Sequence, residues 1–183
     1  MTMNDTTGAQ GYTAMARTLH WVVALLVVLQ FIFIFWAEEV PRGEDLRGIL
    51  FGLHFSTGFT VFLLALWRLG YRLKNPPPAP EHGQPPALQK VALAAHWAMY
   101  VLILALPFTG WMLVATAGGA IDWYWLVEIP NFMGENESLH EQLEEVHEIL
   151  GLTLLAIASV HLLAALWHHF IRKDNTLKRM ISG

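Results

Sequence analysis

Residues 147–171 read HEILGLTLLAIASVHLLAALWHHFI. The run is long enough to cross a bilayer, which needs about 20 residues of helix. It nevertheless carries His147 near one end and His161 deep inside. Ionisable side chains in such a run are expensive and tend to be functional. The two histidines are fourteen residues apart. That interval is nearly four helical turns, so both rings point the same way, about 21 Å apart along the axis. One helix therefore offers ligands to two centres stacked across a membrane.

Three further apolar runs, about 17–37, 51–73 and 91–117, are also long enough to span. The pattern predicts an all-α membrane protein, a four-transmembrane-helix bundle in a single domain over 1–183. The 183-residue composition agrees, with 55% hydrophobic and 14% charged residues and a mean hydropathy of +0.42. Soluble domains carry roughly 25% charged residues, so a water-soluble globule is excluded. The net charge of −4 offers no global attraction to nucleic acid. The absence of cysteine excludes disulfides, thiolate-ligated haem, cysteine-held iron–sulfur clusters and covalent haem attachment. The opening MTMNDTTGAQGYT lacks a basic n-region, and no cleavage site follows the first run, so no signal peptide is expected. Thr13 is the candidate N-cap of the first helix.

Charge sets the expected orientation. Nine of the eleven Lys and Arg lie beside the N-terminal start, the middle loop or the C-terminal tail: Arg17, Arg68, Arg72, Lys74, Lys90, Arg172, Lys173, Lys178 and Arg179. The positive-inside rule puts both termini and the middle loop in the cytoplasm. The opposite face has Arg42 and Arg47 against at least eleven carboxylates, from Glu38 to Glu145. The middle loop, KNPPPAPEHGQPPALQK, is Pro-rich and reads as extended. Trp123, Tyr124 and Trp125 suit an interfacial aromatic belt. ENESLHEQLEEVHE reads as a short acidic helix leading into the fourth span, and Pro107 with Gly110 predicts a kink in the third. A weak repeat, His20-Trp21 against His96-Trp97 and His54-x3-Gly58 against His147-x3-Gly151, is either an old duplication or chance.

His54 and His147 sit near the outer ends of their spans, each with a glycine one turn deeper. Such a glycine lets a flat macrocycle approach the backbone. His20 and His161 lie toward the cytoplasmic side. Two bis-imidazole sites result, with iron held by neutral histidine nitrogens. Zinc wants four compact ligands, and none stand together here. His96 enters at the depth of His20, and periodicity does not separate a His20–His161 pair from a His20–His96 pair. His168 and His169 end the fourth span; His168, seven residues past His161, could flank propionates or a quinone headgroup with Arg172, Arg68, Arg72 and Lys74, or the group could be a positively charged membrane border. His140 and His147, seven residues and so about 10 Å apart, are too distant to share one zinc, and a metalloprotease reading fails. His82, in the Pro-rich loop, and His140 read as surface residues.

RTLHW, LHFSTG with ALWRLGYR, AHWAMY with ALPFTGWM, and HEILGLTLL…HLLAALWHHFIRKD together resemble the bacterial cytochrome b561 family of small four-helix di-haem membrane proteins. The resemblance covers about residues 11–180. It implies two haem b groups (iron protoporphyrin IX, bis-His), the inner one on His20 and His161 and the outer one on His54 and His147. It implies that His96 is not a ligand. It also implies electron exchange with ubiquinone in the bacterial inner membrane. Some family members are assigned as superoxide oxidases.

The leading expectation is electron transfer across or within that membrane, to or from ubiquinone, with the quinone near His168, Arg72 and Lys74. The alternative is a superoxide:ubiquinone oxidoreductase on the same scaffold. The acidic outer face sits awkwardly with an anionic substrate unless Arg42 and Arg47 form a local funnel, and it suits a cationic periplasmic donor better. A third reading is a cytochrome subunit that anchors a periplasmic redox partner.

Overall fold

The computed structural model describes residues 11–81 and 83–183, so the signal-peptide reading at residues 1–10 and the surface reading of His82 lie outside it. Its elements are α1 (Ala14–Glu39), α2 (Asp45–Lys74) and α3 (Pro86–Thr116), then strands β1 (Ile121–Trp123) and β2 (Val127–Ile129). α4 (Glu137–Trp167) runs into a π-helical turn (His168–Arg172), and a short α5 (Thr176–Ile181) follows. α1, α2, α3 and α4 with its π turn are each long and apolar enough to cross a membrane.

Local chemistry sets the ends. Thr13 caps α1 as expected, its side chain accepting from Ala16 N–H. No basic residue lies in the last turn of α1. Arg47 of α2 serves instead, its guanidinium donating to the carbonyls of Ala37 and Val40. α2 carries Asp45 in its first turn and Arg72 and Lys74 in its last, which complements its dipole. α3 begins on Pro86, suited to the first helical position, and continues through Pro107 to Thr116. α4 starts at Glu137 rather than near 147, so the acidic segment and the fourth span form one helix. Asn136 Oδ1 accepts from Leu139 N–H at 3.0 Å, and no Gly or Pro falls between Glu137 and Gly151 to stop the helix.

The helices run up and down. Thr13 Oγ1 lies 2.9 Å from Tyr71 Oη, placing the start of α1 beside the end of α2. Trp21 Nε1 donates to the Met180 carbonyl at 2.9 Å, which folds α5 back under α1. The described chain therefore starts and finishes at one end of the bundle, called here the termini end. The opposite end carries the β1–β2 hairpin, in register Ile121↔Ile129, Asp122↔Glu128 and Trp123↔Val127.

The hairpin was not expected. Its turn holds Tyr124 and Trp125 at φ 50° and 57°, a region bulky residues rarely enter. Docking on α2 holds it there. Ser56 Oγ accepts from Tyr124 N–H at 2.8 Å and donates to the Asp122 carbonyl at 3.2 Å, while Trp123 Nε1 donates to Thr60 Oγ1 at 3.1 Å. Gly52 leaves room for the Trp125 ring, which a Cβ there would meet at 3.0 Å.

α1 packs along α2, α2 along α3 and α3 along α4, but α4 makes no extended contact with α1 or α2. The buried apolar residues lie mostly on the first three helices, among them Leu19, Val23, Val61, Ala65 and Leu102. Of α4 only Leu154 is buried among the described residues. Large apolar side chains face outward all round, including Leu25, Val28, Val160 and Leu163, as lipid-facing helices require.

Candidate functional site

Two histidine pairs bridge the open side of α4. His54 of α2 faces His147 of α4 at the hairpin end, with ring centres 6.3 Å apart and planes at 75°. His20 of α1 faces His161 of α4 at the termini end, with centres 6.3 Å apart and planes at 74°. A metal–imidazole bond is about 2 Å, and a ring nitrogen sits about 1 Å from its ring centre, so trans imidazoles on one metal stand roughly 6 Å apart. Both pairs have that separation. His96 also approaches His161, at 5.3 Å, which is shorter.

The surroundings repeat at one interval. His147 and His161 are fourteen residues apart on α4, His54 and Arg68 on α2, and Gly110 and His96 on α3. Each helix thus presents one residue to each level. At the hairpin end α3 presents Gly110, where an added Cβ would meet His147 Cε1 at 3.3 Å. At the termini end α2 presents Arg68, whose Nη1 donates to the Ala16 carbonyl at 2.8 Å and whose charge acts on His20, His96 and His161.

Hydrogen bonds orient the hairpin-end rings. His54 Nδ1 donates to the Gln30 carbonyl at 3.1 Å. A carbonyl only accepts, so the proton is on Nδ1 and Nε2 carries the lone pair. His147 Nδ1 lies 2.8 Å from Thr109 Oγ1, and that hydroxyl donates to the Leu106 carbonyl at 2.9 Å. The Thr109 hydrogen being used there, Nδ1 is the donor and Nε2 is again free for a metal. The Gln30 amide braces the same region, donating to the His54 carbonyl at 2.9 Å and to Thr57 Oγ1 at 2.6 Å.

Each pair offers two neutral imidazoles, and among the described residues no three or more His, Asp or Glu converge on a metal position. A planar tetradentate macrocycle brings the remaining donors itself, and the two rings of each His pair face each other where α4 makes no extended contact with α1 or α2. The residues fit haem.

The glycines read as macrocycle clearances have other neighbours. A Cβ on Gly58 would meet the Gln30 side chain at 3.5 Å, and one on Gly151 would meet Leu106 at 4.0 Å. His140 is a half-buried clamp rather than a surface residue, its Nδ1 3.1 Å from the Leu113 carbonyl and 3.3 Å from Thr116 Oγ1 of α3. His168, Arg72 and Lys74 have separate surroundings. Arg72 lies over the Trp97 and Tyr100 rings, 5.6 Å from each, while Lys74 is exposed. His168 Nδ1 lies 2.6 Å from Asp174 Oδ2, and Arg172 approaches the same oxygen at 3.4 Å. Partial burial alone would raise the Asp174 carboxyl. The hydrogen bonds from His168 and Thr176 outweigh it and hold the group below the usual carboxylate range.

Gln30, Thr109, Gly110 and Asp174 were missed as site residues, and Arg68 was grouped with His168, Arg72 and Lys74 rather than with the His20–His161 pair. The missed signals were the recurrence of the fourteen-residue interval on α2 (His54, Arg68) and α3 (His96, Gly110), and Thr109 beside Gly110.

The sequence matches the profile of the family described as prokaryotic cytochrome b561 over residues 11–183. It is 30% identical over 173 residues to a Yersinia pestis protein named probable superoxide oxidase CybB, covering 93% of this chain and 95% of the relative. It is 26% identical over 179 residues to cytochrome b561 homolog 2 of Escherichia coli K12, covering 98% and 95%. It is 30% identical over 178 residues to cytochrome b562 of Cereibacter sphaeroides, covering 93% and 95%.

Proposed function

Because the chain belongs to the prokaryotic cytochrome b561 family, a family of membrane-embedded electron-transfer proteins, we propose that it is a di-haem b-type cytochrome. Acting as one unit in the bacterial inner membrane, it passes electrons to or from ubiquinone. The observation that carries this reading is the pair of facing histidines, repeated at one 6.3 Å separation at two depths of one bundle. When bound, haem b supplies a reversible one-electron couple at each pair.

His54 and His147 would hold one haem at the hairpin end, and His20 and His161 the other at the termini end. Gln30 and Thr109 fix the ring orientation of the first pair. With two histidines of the chain holding each haem, electrons would pass to and from substrates without a substrate binding the iron. The termini end is the cytoplasmic one, where Arg17, Arg68, Arg72, Lys74 and the basic tail gather. Arg72, Lys74 and His168 are the proposed quinone neighbours. His168, hydrogen-bonded to Asp174, holds a proton at Nδ1 there. Pyridine-haem counting on the purified protein tests the reading: two haems per chain are expected, and one or none overturns it.

A second reading, superoxide:ubiquinone oxidoreductase, draws on the name of the Yersinia pestis relative. Two superoxide anions would each give one electron, and a quinone taking both with two protons would become quinol, leaving two dioxygen molecules. Arg47, one of the two arginines between the first spans, is engaged with α1 carbonyls. Arg42 and Arg47 are the two cations set against the carboxylates of the hairpin end. Stopped-flow mixing with superoxide decides between them. Reduction faster than in an inert membrane haem control supports the enzyme, and equal rates reject it.

A further inference from the structure

The two histidine pairs share a separation but differ in what surrounds them. At the hairpin end both rings give their Nδ1 proton to an acceptor, the Gln30 carbonyl for His54 and Thr109 Oγ1 for His147. At the termini end neither His20 nor His161 has a hydrogen-bond partner among the described residues. That end holds instead a half-buried cation, Arg68, fixed by its bond to the Ala16 carbonyl, one helical turn before His20.

These differences work in one direction. An acceptor on Nδ1–H makes the imidazole a stronger donor, which favours the oxidised metal. A cation beside the other centre favours its reduced form, because reduction removes a positive charge next to it. We infer that Thr109 and Arg68 are positioning residues that set a potential step within the bundle, the hairpin-end centre lower and the termini-end centre higher. The inference rests on the axial-ligand reading above. Electrons then run downhill from the hairpin end to the termini end. A donor at the hairpin end loses one electron per passage. Two passages with two protons convert a quinone to a quinol at the termini end.

Optical redox titration of the purified, haem-loaded protein tests this. Wild type is expected to titrate in two waves, and His20→Ala, which keeps the hairpin-end pair, to retain the lower one. Thr109→Val is expected to raise the lower wave by about tenfold in its equilibrium, about 59 mV for one electron, and to leave the upper wave in place. Thr109→Ser restores the lower wave, which a mere packing role for the threonine does not require. Arg68→Gln lowers the upper wave alone and serves as an independent arm should Thr109→Val fail to load. Fewer than two haems in wild type overturns the ligand reading itself. Two haems with coincident waves, or with waves unmoved in both variants, overturns the potential step and leaves the ligand reading standing.

Discussion

His161 stands within ring contact of two other histidines, 6.3 Å from His20 and 5.3 Å from His96. Metal–ligand separation favours the first. His161→Ala or His20→Ala is therefore expected to remove one haem and leave the other, and His54→Ala or His147→Ala to do the converse. His96→Ala is expected to keep both. Pyridine-haem counts check this, and loss of a haem from His96→Ala would exchange the partners. The four proposed ligands were legible because a histidine in an apolar run has few other uses. The residues that hold them were not. Gln30 acts through a backbone carbonyl that every residue possesses, and Gly110 acts by lacking a side chain where the His147 ring comes near. The first role leaves no mark in composition or spacing, and the second shows only as the interval from His96 once the helices are set side by side.

At the level of elements, long apolar runs fixed the four helices, and errors gathered where tertiary contact overrides local preference. The β1–β2 hairpin is the clearest case. No Asn-Gly or Asp-Gly marks its turn, and its aromatic residues adopt positive φ because α2 holds them. Ser56, fully buried, makes two of those bonds. Ser56→Ala leaves the Tyr124 N–H and the Asp122 carbonyl without it, at a cost of about 1–3 kcal/mol. Faster amide exchange confined to residues 121–129 is the expected readout. The π turn depends likewise on Asp174, whose carboxylate accepts from His168 and from Thr176 N–H. Its folded-state pKa is depressed, so its contribution is present above the ordinary carboxylate pKa and lost as pH falls through the lower folded value. Proteolysis of the α5 tail should therefore rise below about pH 4, and Asp174→Asn should reproduce that sensitivity at neutral pH.

For the whole molecule, the cysteine-free sequence makes the proposed orientation directly measurable. Glu44→Cys at the hairpin end should react with a membrane-impermeant maleimide from the periplasm. Ser182→Cys should react only after the membrane is permeabilised. The reverse pattern would turn the bundle over. The up-and-down order was legible from four spans and from the segregation of charge between the loops that join them. The open side of α4 was not, because helix neighbours are decided by packing along whole faces. That open side bears on how the protein is made. Each facing pair takes one histidine from α4 and the other from the α1–α2 hairpin. A nascent chain that stops before residue 147 thus owns half of each pair and completes neither, so both pairs await the last of the four membrane helices to be synthesised.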